Sequence, residues 1–206
     1  MRKCIQGAIA GIGVAFASVS LADTVVIDFE GLDTGGASFS SPLIEDGFVI
    51  DPALAPSGPV IVAVAGGNGT NSIIFCGWCV DGSQGVSIYS ESGATFGLDS
   101  LDVFSGYGFG PEDFAGAGLV TGYLDGGGSV SQSITATVGS ETVTFGSGWS
   151  NLTSIDIVFA TSSSNPYAVV PSVDNITLQA VPVPAAVWLF GSALAGLVGF
   201  KRRRAS

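Results

Sequence analysis

The side chains of this 206-residue chain with chemistry to offer are a cysteine pair, a scatter of carboxylates and a set of aromatic rings. Cys76-Gly77-Trp78-Cys79 has the spacing of a dithiol redox site, but such a site follows a strand and opens a helix. The next residues, Val80-Asp81-Gly82-Ser83-Gln84-Gly85, cannot open one. No basic group lies near to lower a thiol pKa. Cys76 and Cys79 are therefore expected to form a structural disulfide that pins a turn, in a compartment that permits oxidation. Asp99, Asp102, Glu112, Asp113 and Asp125 could supply the two carboxylates of a glycosidase, though their spacing singles out no pair. Trp78, Tyr89, Tyr107, Phe109, Tyr123 and Trp149 offer faces on which a sugar ring could stack. Trp149, between a Gly-rich turn and Leu152, reads better as core.

The charge map narrows the chemistry further. All six basic residues lie at the ends: Arg2, Lys3, Lys201, Arg202, Arg203 and Arg204. All seventeen acidic residues lie between Asp23 and Asp174, a stretch that holds no Lys, Arg or His. Ser and Cys nucleophiles there lack an ordinary base. Zinc catalysis lacks its commonest ligand. Nucleic acid is not an expected partner, because nothing can neutralise its phosphates. The carboxylates either solvate an exported surface or supply hard oxygen ligands to a divalent cation. Burial and hydrogen bonds must hold such a domain together.

The elements that position these residues read as short strands. Candidates are residues 24–29, 47–50, 59–64, 72–76, 85–90, 100–105, 118–124, 131–138, 141–145, 154–160 and 174–178. Several alternate apolar and polar side chains, as half-buried strands do, and Gly, Ser, Asn and Asp separate them. No segment carries a capped helical period. The expected class is all-β: a jelly-roll-like β-sandwich over residues 23–180. Gly66-Gly67-Asn68-Gly69-Thr70-Asn71 resembles one calcium-binding nonapeptide of the RTX proteins, but a single copy cannot stack into a roll, and it reads as a loop.

Both ends read as processing segments. Residues 1–22 have a basic start, an apolar run from Ile5 to Val19 and a Ser20-Leu21-Ala22 cleavage site, which is the pattern of a signal peptide. Residues 181–200 carry no charge, and as a helix they would span about 30 Å, the thickness of a bilayer core. A transmembrane helix is expected over 184–200, with Pro184 in its first turn. Lys201, Arg202, Arg203 and Arg204 form a stop-transfer block that stays cytoplasmic, which leaves the domain outside. Small residues four apart, Ser192 with Gly196 and Ala195 with Gly199, leave grooves for another helix.

Val181-Pro182-Val183-Pro184, a short span with an Ala185-to-Leu194 core and a terminal basic cluster closely resemble the PEP-CTERM sorting signal. Val183 stands where the usual motif has Glu. The resemblance implies that residues 181–206 are a sorting signal, with the motif at Val181, Pro182, Val183 and Pro184. It implies recognition by an exosortase-like membrane protease, a transient stay in the inner membrane, and release to the cell surface or beyond. A second, looser resemblance concerns the domain. Phe29-Glu30 near its start and Asp174-Asn175-Ile176 near its end look like the first and last strands of galactose-binding-like jelly rolls. Those domains often hold a structural Ca²⁺ where their termini meet. The resemblance implies Glu30 and Asp174 as its carboxylate ligands, with backbone carbonyls completing the shell.

The expected function is that of a non-enzymatic surface or matrix protein associated with extracellular polysaccharide. Two alternatives are open: a secreted carbohydrate-active enzyme using two carboxylates, and a module left anchored by an uncut tail.

Overall fold

A computed structural model describes residues 23–32, 38–55, 60–64, 69–75, 82–105, 116–161 and 170–180. These residues belong to one unit, Ala22–Val181. They form β1 (Thr24–Ile27), β2 (Ser38–Phe39), β3 (Leu43–Glu45), β4 (Phe48–Asp51), β5 (Val60–Val64), β6 (Asn71–Phe75) and β7 (Gly82–Ser90). There follow β8 (Phe96–Ser105), β9 (Gly116–Leu124), β10 (Ser129–Ala136), β11 (Glu141–Thr144), β12 (Leu152–Thr161) and β13 (Pro171–Ala180). Two 3-10 turns, Pro52–Leu54 and Ser147–Trp149, interrupt them. Each of the eleven segments expected from the sequence falls on a strand; β2 and β3 had no counterpart. Among the described residues no helix is long and apolar enough to cross a membrane. The expected signal peptide, sorting motif, transmembrane helix and stop-transfer block all lie outside those residues, as do Cys76 and Cys79.

The strands form two layers, all pairs antiparallel. One layer runs β2-β5-β6-β13-β8-β11, with β1 sharing an edge of β13 with β6. The other runs β3-β4-β7-β12-β9-β10. Among the described residues a single strand pairing, Leu152 with Phe96, joins them. This all-β sandwich buries the inward half of each alternating strand. On β12 the inward set is Ile155, Ile157 and Phe159; facing it from β8 and β13 are Leu101, Val103, Val173, Ile176 and Leu178, all buried. Phe48 meets Phe96 edge to face at 5.2 Å, and Phe75 lies 5.1 Å from Phe159. Such ring pairs add to the area term that drives the collapse.

Two glycines set how closely the core closes. A Cβ on Gly118 would lie 2.5 Å from the Phe159 ring, and one on Gly122 would lie 3.1 Å from the indole of Trp149. Trp149 is buried over Gly122 and packs on Phe145 at 4.6 Å, so its reading as core holds.

β13 is the strand at which the two ends of the domain meet. Its first half pairs with β6 and its second half with β1, on the same edge. The change of partner falls at Asp174 and Asn175, where the register with β8 also shifts and Asn175 turns to a φ of 48°. Asn is among the few residues that tolerate that left-handed conformation.

Candidate functional site

Two places gather polar chemistry. The first is the outer face of the layer β4-β7-β12-β9-β10. Register sets its rows. Val49, Tyr89, Ser154, Tyr123 and Ser129 lie side by side across five strands. The next row is Asp51, Ser87, Asp156, Thr121 and Ser131. Period-two alternation turns these side chains to the side opposite Ile155 and Ile157, where Val49 is buried, Tyr89 half-buried and Tyr123 exposed.

The centre of the face is Asp156. Ser87 Oγ donates to its Oδ1, and the Tyr123 phenol donates to its Oδ2 at 3.0 Å. The hydrogen bond to Asp156, and then the charge of that carboxylate, hold the Tyr123 phenol above its ordinary value of 10. Tyr123 is nonetheless 41% exposed, and Leu119, two rows away on the same strand, is 44% exposed. Thr153 Oγ1 donates to the Tyr123 carbonyl at 3.2 Å and steadies the backbone beneath the ring. Tyr89 and Tyr123 are two strands apart in one row, which separates their backbones by about 10 Å. The face thus presents two aromatic side chains, a hydrogen-bonded carboxylate and a field of hydroxyls, with no cationic side chain anywhere between residues 23 and 180.

The second place is where the domain's two ends meet. Asp174 is fully buried. Thr70 Oγ1 donates to its Oδ2 at 2.7 Å, and the Asn175 N–H donates to its Oδ1 at 2.7 Å. The next residue along, Asn71, donates its backbone N–H to Glu30 Oε1 at 2.6 Å and its amide to the Phe29 carbonyl at 3.3 Å. Glu30 and Asp174 are thereby brought to adjacent residues of one segment. Asp102 lies across from Asp174 on β8 and accepts from Asn175 Nδ2 at 2.9 Å and from Thr142 Oγ1 at 2.5 Å. In a domain without basic side chains, hydroxyls and amides do the work that arginine would do elsewhere.

Beside this junction, Glu45 Oε2 accepts from the Phe29 N–H at 3.2 Å. Burial, and then the negative charge of Asp28, push the Glu45 carboxyl up to about 7. Phe29 itself is fully buried at a φ of 59°.

The sequence candidates divide as follows. Asp102 is tied into the junction, while Asp99 and Asp125 are exposed and far apart in the chain. Glu112, Asp113, Tyr107, Phe109 and Trp78 lie outside the described residues. Among the described residues no group of three or more His, Cys, Asp or Glu side chains is gathered as a metal cage. The donors at the junction are nevertheless hard oxygens: two carboxylates, a hydroxyl, a side-chain amide and the Phe29 carbonyl. That is the ligand class calcium takes. Sequence reasoning named Tyr123 as a stacking ring, but missed Glu45 and the hydrogen bonds that join Tyr123 and Ser87 to Asp156. Residues 66–71 read as a loop from the sequence, but Asn71 opens β6, and Thr70 and Asn71 tie both ends of the domain.

No family model matches the chain, and no curated protein matches it. Solved structures of similar shape include an exo-β-agarase, at 14% identity and a TM-score of 0.42, covering 80% of this chain. This chain spans only 26% of that enzyme. A Stig cyclase, Fisc from Fischerella sp. TAU, is 15% identical with a TM-score of 0.44, covering 78% of this chain and 99% of its own. The tandem CBM22 domains of Paenibacillus barcinonensis Xyn10C are 14% identical with a TM-score of 0.38, covering 81% of this chain and 51% of theirs. At such identities and scores the likeness assigns no activity to this chain.

Proposed function

We propose that this is an exported, non-enzymatic surface protein whose β-sandwich associates with extracellular polysaccharide through the outer face of β4-β7-β12-β9-β10. The observation that carries this is the pairing of exposed Tyr123 with Asp156 and Ser87, two strands from Tyr89. A pyranose ring has an apolar face and a hydroxyl rim. Tyrosine rings cover the first, and a carboxylate with neighbouring hydroxyls accepts from and donates to the second. The spacing of the two tyrosines is roughly the length of a disaccharide, which suits a chain lying across the strands.

The non-enzymatic reading is supported by the tie on Asp156, whose two oxygens already accept hydrogen bonds, and by the absence of any His or Lys from residues 23–180. We read the sandwich as a jelly roll. β1-β13-β8-β11 faces β7-β12-β9-β10, first strand beside last, with β2 to β6 as an insertion after β1. Glu30 and Asp174 would hold a structural Ca²⁺ at the junction, with Thr70, Asn71 and the Phe29 carbonyl beside them. The tail, residues 181–206, would deliver the domain: its Val-Pro-Val-Pro motif, apolar span and basic block stand in the order of a sorting signal processed by an exosortase-like protease.

The test is affinity gel electrophoresis of the full-length protein in mild detergent, in gels cast with soluble neutral polysaccharides of different linkage. Retardation by at least one of them is expected. Unaltered mobility in every gel would overturn the reading.

A further inference from the structure

Tyr123 and Asp156 do not sit opposite each other. Across β9 and β12 the register sets Tyr123 beside Ser154 and Asp156 beside Thr121. The Tyr123 phenol therefore reaches Asp156 diagonally, one strand over and one row along, between backbones about 7–8 Å apart. On the other side of Asp156, Ser87 is its direct neighbour across β7. The three side chains make one line of hydrogen bonds over three strands: Ser87 Oγ donates to Asp156 Oδ1, and the Tyr123 phenol donates to Asp156 Oδ2 at 3.0 Å.

That line dictates how the ring lies. An aspartate carboxylate stays close to its own backbone, whereas a phenol oxygen stands at the tip of a long side chain. An upright tyrosine would carry its oxygen well above Asp156. A bond of 3.0 Å requires the ring to lean over the sheet toward β12. A leaning ring turns one face to the sheet and the other to solvent, and Tyr123 keeps 41% of its surface exposed. Asp156 is half-buried and fixed from its far side by Ser87, so the anchor does not swing with the ring. The raised phenol reports the same grip, since Asp156 holds the proton on Tyr123.

We infer, resting on the polysaccharide reading of this face, that Asp156, held by Ser87, is its positioning residue: it lays the Tyr123 ring over the sheet and presents the flat of the ring to a sugar. A ring fixed before binding loses little freedom when the sugar arrives. Stacking uses the face of the ring, not its edge. Most of the effect of Asp156 on binding then passes through Tyr123.

A double-mutant cycle on the full-length protein in mild detergent tests this. The probe is the neutral polysaccharide that retards the protein most, titrated calorimetrically at a temperature where every variant is folded. Asp156→Ala should weaken binding about threefold in the wild-type background and leave it nearly unchanged in Tyr123→Ala. Tyr123→Phe keeps the ring and loses the tether, and should weaken binding about as much as Asp156→Ala. Alkaline absorbance titration gives an independent readout. The tyrosine signal that disappears in Tyr123→Phe should titrate at lower pH in Asp156→Ala than in wild type. An equal loss from Asp156→Ala in both backgrounds would mean that the carboxylate acts on the sugar directly, and would overturn the inference. Weak binding by Tyr123→Ala with wild-type binding by Tyr123→Phe would overturn it alone. Wild-type binding by Tyr123→Ala would overturn the reading of the face and the inference with it.

Discussion

Glu45 shows at the level of one residue how a domain without bases handles its acids. Its carboxyl is raised from 4.5 to about 7 by burial first and by Asp28 second. The folded state therefore binds more protons than the unfolded chain between those two values. Stability contributed by this group is fully present below pH 4.5 and is lost as pH rises through 7. Glu45→Gln keeps an acceptor for the Phe29 N–H and removes the ionisation. Thermal melts should show the variant more stable than wild type at pH 8 and indistinguishable from it at pH 4. A variant less stable at pH 8 would contradict the assigned cause. Neither Glu45 nor the Tyr123–Asp156 pair could be read from the chain alone. Phe29 and Glu45 are sixteen residues apart, and Tyr123 and Asp156 thirty-three, so each meeting depends on register. Trp149 was legible as core because a Gly-rich turn and Leu152 flank it.

The strands were the most legible elements, because several alternate apolar and polar side chains and Gly, Ser, Asn and Asp separate them. β2 and β3, at two and three residues, are too short to show a period. Register was not legible, yet it makes both sites: the rows across β7, β12 and β9, and the change of partner along β13. Gly118 tests how tightly those elements close. A Cβ there meets the Phe159 ring at 2.5 Å, so Gly118→Ala should cost about 1–3 kcal/mol through overpacking. Urea titration should show a lower midpoint at unchanged slope. The junction tests differently. Glu30 and Asp174 were named from a resemblance at two ends of the chain, and residues 70–71 join them. Calcium should raise the melting temperature, EDTA should reverse it, and Asp174→Asn should abolish the response. A melting temperature indifferent to both additions would remove calcium from the account.

At the scale of the whole chain, charge is the organising feature. Seventeen acids and no bases occupy the stretch from Asp23 to Asp174, and all the cations sit at the two ends. That separation suits a domain delivered outside and a tail retained inside by its basic block. Intact mass of the protein from its native cells should give a species starting at Asp23 and ending near Val181 to Pro184, outside the inner membrane. A species still carrying Lys201 to Arg204 in the inner membrane would instead leave an ordinary anchor.

The central claim is that the tyrosine face takes polysaccharide, and one titration tests it most directly. The neutral polysaccharide that retards the protein most is titrated calorimetrically into wild type and Tyr123→Ala. Loss of an exposed ring that forms half the stacking surface should weaken binding about three- to tenfold, at a temperature where both proteins are folded. Equal affinity in the two proteins would place the binding surface elsewhere and contradict the account.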